Sequence, residues 1–555
     1  MKSRRYLKII AIAFISTSLF HSCHDLDMHY EGGQMNDEQI QNVMEVNPGR
    51  ISSSVNGMYA ILGKPCAFFA GSNRADDFGY PAMAMGQDLN SGDVTNIESG
   101  YDWFSVALEW SDRTPTYANP QLRFGIPYRV IYAANDVLSS IADDTENAEL
   151  IASRGQAKAM RAFSYLSLAP YFQYKYKGNE DKPSVPIIKD DMDPNCNPRA
   201  TLRELYETIL ADLDDAIADF EGFSRSNKGV IDQQVAYGLR ARAYLYMEEW
   251  DKAAADAELA MQGYTPYEIT DLTAPGFYDA SDRNWIWALL LPSDIIDENG
   301  YTTLASWPSQ LGSFSGYGYV AYGGIYRSIN TLLWKKIPTT DVRKSWWLDE
   351  NKTSPYLDGL VWSDVARGID YIGQDIPDAN IPDVKEPMQP LANVKFGIQA
   401  GIGASYNGGD WCMMRAEEMI FIRAEALAKS GNLAAGKAVL ENFVSTYRDP
   451  AFTSTATSIE AFSDEVWLQR RIELWGEGFA MADVMRLGKN VVRVIPGEPT
   501  NVTEIYQFNI ASNDPWMLLR FVQRETTNNQ CCEQNVGGTQ PEQGDGANLR
   551  DGVTD

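Results

Sequence analysis

Three widely separated segments of the chain share one pattern, and that pattern limits the fold more than any other feature. They are Met160 to Leu166, Leu239 to Leu245 and Ile422 to Ala428. Each has an apolar residue, then Arg-Ala, then a large residue four positions after the arginine (Tyr165, Tyr244 or Leu427). Four positions is one turn of an α-helix, so the repeat marks equivalent faces of equivalent helices. A helix that recurs in this way cannot bury its apolar stripe alone. It must pair with a neighbour, and the pairs must stack.

The second segment continues through Glu248-Glu249-Trp250-Asp251-Lys252-Ala253 and ends its unit at Pro266. Tyr237, Ala241, Tyr244, Ala253 and Ala257 then occupy the aromatic and small positions of a tetratricopeptide (TPR) hairpin. Small residues let two helices approach closely, and aromatic residues fill the space between hairpins. The third unit has Ile420, Ala424 and Leu427 on one stripe, a Gly431-Asn432 stop and start signal, and a second stripe of Leu440, Phe443, Val444 and Tyr447. A Thr457-x-x-Glu460 capping box predicts a further helix, with Leu468, Ile472, Trp475 and Phe479 on its stripe. More helix is expected near 50–63, 121–142, 147–172, 201–221 and 326–336. The expected fold is mainly α: a TPR-like helical-hairpin scaffold of about four pairs, split between 23–266 and 411–525. Between Tyr267 and Asp410, and again from Gly71 to Pro120, Gly, Pro and aromatic residues break the period. Gly316-Tyr317-Gly318-Tyr319 and Tyr322-Gly323-Gly324 are examples. Loops this long are functional or disordered, and their Trp and Tyr content argues against disorder. The 267–410 insertion is expected to form an irregular second region packed on the scaffold.

The N-terminus reads as an address. Lys2, Arg4, Arg5 and Lys8 precede an apolar run from Ile9 to about Phe20, too short to span a bilayer. Residues 1–22 are expected to be a signal peptide. Leu19-Phe20-His21-Ser22-Cys23 resembles the lipobox of bacterial lipoproteins, with Cys23 as the lipidated residue. The only histidines are His21, His24 and His29. Beyond Tyr30 no imidazole is available, which excludes Ser-His-Asp and Cys-His catalysis, zincin-type zinc sites and His-ligated iron or copper. With 75 acids against 47 bases, nucleic acid is not an expected partner. Cys66, Cys196, Cys412, Cys531 and Cys532 are few, scattered and odd in number, so free thiols are expected rather than a disulfide framework. Cys531-Cys532 falls in a polar tail, Thr526 to Asp555, expected to be disordered.

Four places along the chain carry a family resemblance. Gly155 to Phe163 resembles the helix "G-x-A-x-A-L-R-A-F" of the SusD/RagB family of Bacteroidetes surface lipoproteins. Pro186 lies at the family's "G-x-[IV]-P" turn. Arg471, Glu473, Leu474, Glu477, Gly478, Asp483 and Arg486 match the helix "R-x-E-L-x-x-E-G-x-R-x-x-D-x-x-R", with Ala480 at its second arginine. Trp516 to Asn529 is similar to the family's ending, with Arg520 in place of a proline. The resemblance spans about residues 23 to 530. It implies an outer-membrane lipoprotein facing the cell exterior, a lid on a SusC-like TonB-dependent transporter. Such a protein binds oligosaccharides, or less commonly peptides, and performs no chemistry.

Sugar recognition needs flat apolar faces for pyranose C–H groups and planar polar forks for vicinal hydroxyls. Asp88, Asn90, Asp93, Tyr101 and Trp103 supply both, in the place where the family's ligand region lies. Trp307, Tyr317, Tyr319 and Tyr322 form a second aromatic group. Trp346-Trp347, beside Arg343 and Lys344, form a third. No catalytic residue, cofactor or metal ligand set is expected. The spacing of Asp294 to Gly300 is not that of an EF-hand, and a structural calcium ion is the one metal the acidic loops leave open. Two other functions remain open on residues alone. One is a carboxylate-pair glycosidase, which needs no histidine. The other is a TPR scaffold without a small ligand.

Overall fold

In the computed structural model the described residues are 35–66, 74–96, 102–189, 192–298, 304–315, 318–320, 324–357, 361–364, 369–372, 388–401, 403–404, 406–535 and 537–555, the side chains of 296–298, 361–364 and 369–372 excepted. Cys23, Tyr101, Tyr317 and Tyr322 lie outside them.

Helices pack in successive pairs. Ile51–Gly63 lies on Ala118–Ser139, Ala148–Leu166 on Leu202–Asp219, Gln233–Met247 on Trp250–Ala260, and Ala416–Lys429 on Leu433–Tyr447. Neighbouring pairs touch through Ala118–Ser139 with Ala148–Leu166, Leu202–Asp219 with Gln233–Met247, and Trp250–Ala260 with Ala416–Lys429. The Arg-Ala repeat explains the stacking. Ala162, Ala241 and Ala424 are fully buried where helices meet. The arginine beside each clamps a neighbouring helix. Arg161 donates to both Asp212 carboxylate oxygens (2.9 and 2.7 Å) and to Asn135. Arg240 grips Asp256 (2.6 and 2.9 Å) and Asp214, and Arg423 reaches Glu258 at 3.1 Å.

The long insertion leaves and re-enters the scaffold at one place. Its strand Trp285–Leu289 pairs antiparallel with Trp411–Arg415, and both strands are buried throughout. A buried ionic cluster ties the insertion to the C-terminal helices. Arg343, Lys395, Arg415 and Arg448 meet Asp341, Glu417, Glu473 and Glu477, four cations against four carboxylates. The Arg415 and Arg448 guanidiniums, with Arg343, hold the Glu473 carboxyl well below the usual range despite its burial. The family-like charges of the Arg471–Arg486 stretch are therefore interior fasteners. Removing one partner of such a pair costs about 3–5 kcal/mol.

Several expectations need correction. The capping residue before Ile459–Glu473 is Ser458, whose hydroxyl accepts the Ala461 N–H, one residue past Thr457. The expected helix over 326–336 is shorter. Ser328–Ile329 is strand, paired with Val94–Thr95, and helix begins at Thr331 after an Asn330 cap. Within Gly71 to Pro120 lies a helix, Tyr80–Asn90, with every residue but Tyr80 buried. A helix covered on all sides has no amphipathic period to read. Finally, Cys196 and Cys531 form a disulfide, and the polar tail is folded back. Asn529 and Asn197 bond each other in both directions (2.9 and 2.7 Å), the Asn509 N–H donates to Asp545 O, and Asp551 is buried beside Arg471. The tail's backbone groups find partners in the scaffold, which polar composition alone does not reveal.

Candidate functional site

Two loop regions meet at the surface through residues 216 apart in the sequence. The Trp103 indole N–H donates to the Tyr319 hydroxyl at 2.8 Å. Both residues are half-buried. The Arg74 guanidinium lies 4.9 Å from the centre of a Trp103 ring. Arg74 is itself held by a two-pronged bond to Asp76 (2.8 and 3.0 Å), and Asp76 also accepts from Asn119 at 3.1 Å.

A buried layer fixes this corner from below. Asp102, next to Trp103, takes a two-pronged bond from Arg327 (2.7 and 2.8 Å), with each side chain 1 % exposed. Asp102 also accepts from Asn96 and from the Phe104 N–H. The Tyr319 N–H donates to the Ser309 hydroxyl, and Arg327 donates to Gln310 O, so the second loop is tied to the same layer. Nearby, Asp77 is fully buried. One oxygen accepts the Cys66 N–H at 2.7 Å and the other has no partner among the described residues. Burial pushes its carboxyl up to about 6.

The remaining candidates have other tasks. Asp88 accepts from the Gly478 and Ala480 N–H groups (2.8 and 3.0 Å), capping the helix Ala480–Leu487 across the fold. Burial raises its carboxyl to about 7. Asn90 uses both N–H groups on Ala107 O and Asp112, and its oxygen accepts from Arg113 and Arg123. Asp93 is paired with Arg471, and its carbonyl accepts from Trp475. Trp307 is 1 % exposed, donates to Gly409 O, and packs on Phe396 and Trp411. Trp346 and Trp347 are core, against Phe277 and Trp475. Asp88, Asn90, Asp93 and Trp307 are buried with their polar groups bonded inside the protein, and the Trp346 and Trp347 rings are buried in the core. Of the candidates, the structure brings Trp103 and Tyr319 together.

Sequence reading missed Arg74 and Asp76. The signal was present as Arg74-Ala75-Asp76-Asp77, a charged knot inside an aromatic loop. Among the described residues no group of three or more His, Cys, Asp or Glu is placed to hold a metal ion. No described helix is long and apolar enough to cross a membrane.

A family model described as "Starch-binding associating with outer membrane" matches residues 79–245, and one described as "SusD family" matches residues 379–542. No curated protein matches the chain by sequence. Among solved structures, a SusD-like carbohydrate binding protein from Bacteroides vulgatus is 23% identical, over 87% of this chain and 97% of that one, with a TM-score of 0.70. A SusD superfamily protein from Bacteroides thetaiotaomicron is 20% identical, over 88% and 99%, with a TM-score of 0.67. A laminarin binding SusD-like protein is 18% identical, over 88% and 99%, with a TM-score of 0.58. These structures share the fold over most of the chain.

Proposed function

The chain belongs to the SusD/RagB family, and from that premise we propose that it is a glycan-binding lipoprotein of the outer cell surface. In this reading it captures oligosaccharides at the Trp103–Tyr319 corner and hands them to a SusC-like TonB-dependent transporter. It performs no chemistry on them.

The observation that carries the reading is the Trp103–Tyr319 contact with Arg74 beside it. The indole N–H is occupied by the tyrosine, which fixes the plane of the ring. The tyrosine hydroxyl accepts that bond and keeps its own proton to donate. A flat apolar face beside a hydroxyl and a guanidinium offers stacking and directed bonds within one small surface. The Asp102–Arg327 pair below pre-organises the corner, so little ordering entropy is lost when a ligand binds. Carbohydrate-binding relatives with the same fold support the ligand class, as does the laminarin-binding one. The lipobox-like Cys23 and the family support anchoring and the transporter.

Calorimetry against a panel that includes laminarin and starch oligosaccharides tests the reading. Trp103→Ala should weaken binding by about tenfold or more, equivalent to about 1.4 kcal/mol, at unchanged melting temperature. Retained affinity with lost stability would make Trp103 a core residue. Release of new reducing ends from any bound glycan would make the protein a hydrolase. Cys23→Ala should move the protein from the membrane fraction to the soluble one. Continued membrane partitioning of that variant would overturn the anchor.

A further inference from the structure

Among the described residues, only two aromatic side chains are more than a third exposed: Tyr117 (45%) and Tyr132 (49%). Both belong to one helix. Tyr117 is the capping position of Ala118–Ser139, and Tyr132 is four turns further on. Between them Phe124 and Tyr128 are buried, so the two rings are separate exposed points on the helix. Fifteen residues of helix place them about 22 Å apart along the axis.

The short helix Gln523–Asn528 crosses that helix. Phe521, just before it, packs on Phe124 at 5.8 Å, and the Gln523 N–H donates to Pro115 O at 3.1 Å. Glu525 stands close enough to Tyr132 to act, after burial, on its phenol. Between this helix and the first turn of the long one is a groove of about 410 Å³. Pro115, Thr116, Gln121, Gln523, Arg524, Thr527 and Asn528 line it. The side chains of Gln523, Thr527 and Asn528 make no hydrogen bond to any described residue. Unspent amides and a hydroxyl line the groove, and the exposed Tyr117 ring follows directly on Thr116 of its wall, so polar forks for sugar hydroxyls and a flat face for C–H groups lie within one small surface.

We propose that this groove is a second carbohydrate subsite, which takes sugar residues of a long glycan beside Tyr117. The proposal rests on the glycan-binding reading for its ligand class and not for its position. It is linked to the first corner through Asn119, two residues after the exposed Tyr117; the Asn119 side-chain N–H donates to Asp76. A chain held at both places gains from linkage. The second contact is intramolecular and raises apparent affinity for a polymer without changing affinity for a short oligosaccharide.

The test compares the wild type with Tyr117→Ala/Asn528→Ala and with Trp103→Ala. The substituted groove residues are exposed, so melting temperatures should match. Affinity electrophoresis in laminarin, amylopectin and xyloglucan gels reads polymer binding, and calorimetry with trisaccharides of the retarding polymer reads the first corner. The groove variant should keep its trisaccharide affinity and lose about tenfold or more for the polymer. Trp103→Ala should retain weak retardation, which adding the groove substitutions removes. Equal retardation of the groove variant and the wild type would overturn the subsite. So would loss of all retardation in Trp103→Ala alone. A wild type retarded by no polymer and titrated by no oligosaccharide would overturn the glycan reading itself.

Discussion

At the scale of single residues, polar side chains in the loop region divide by burial, and sequence alone does not give burial. Asp88, Asn90 and Asp93 have the composition of a sugar site, yet each is consumed by arginines, backbone N–H groups or a helix terminus. Trp103 and Tyr319 were legible as flat rings in loops where the helical period breaks. Their pairing was not legible, because 216 residues separate them. Asp77 shows what burial does to a group left incomplete. It has one hydrogen-bonded oxygen and one orphan, and its carboxyl is raised from 3.8 to about 6. A carboxyl with a raised folded value binds its proton more tightly folded than unfolded. Its contribution to stability is therefore greatest below 3.8 and declines as pH climbs to about 6. Asp77→Asn should remove this decline. In thermal unfolding between pH 4 and 7, the variant should gain on the wild type up to about pH 6 and hold a constant lead above it. A variant that tracks the wild type at all pH values would show that Asp77 stays ionised in the fold.

At the scale of elements, amphipathic helices were legible and fully buried ones were not. The Arg-Ala repeats, the stripes after Gly431 and the start of Leu202–Asp219 follow from period and capping chemistry. The Thr201–Glu204 capping box is present in full. Tyr80–Asn90 carries no period, because other elements cover every side of it. Its packing explains a glycine in the family-like helix motif. Gly478 has a φ of +90°, and a Cβ built on it would lie 2.5 Å from the Cβ of Ala84. The same short stretch presents its N–H to Asp88. Gly478→Ala therefore strains the backbone and pushes on Tyr80–Asn90 together, at a cost of about 2 kcal/mol or more. Tyr80–Asn90 leads into the segment that carries Asp102 and Trp103. The substitution should lower the denaturant midpoint and also weaken glycan binding. Ala480→Gly, two residues on with its N–H still available to Asp88, should lower the midpoint less and leave glycan affinity unchanged. Equal losses from both would place the effect in the shared N–H contact with Asp88 and not in the close approach.

At the scale of the whole molecule, the chain closes on itself three times. Strand Trp285–Leu289 returns to Trp411–Arg415, the eight-charge cluster joins the insertion to the C-terminal helices, and the tail is clasped by Cys196–Cys531. The first two closures are buried and cooperative. The third spans 335 residues of sequence and holds a segment whose own side chains are mostly polar. Without the disulfide, that segment has only hydrogen bonds that compete with water, each worth about 1 kcal/mol net. Closing so long a loop also removes much freedom from the unfolded chain. Cys196→Ser should therefore cost about 2–4 kcal/mol. The loss should be local first, with the segment beyond Asn529 becoming sensitive to protease while the helical pairs stay protected. The neighbouring Cys532 gives a control. It is buried, its thiol is raised to about 12, and it is unpaired, so Cys532→Ser should leave the tail resistant. If Cys196→Ser leaves the tail as resistant as the wild type, its hydrogen bonds to Asn197, Asn509 and Lys489 hold it without the clasp. If both variants release it, the tail needs the packing of Cys532 as well as the disulfide.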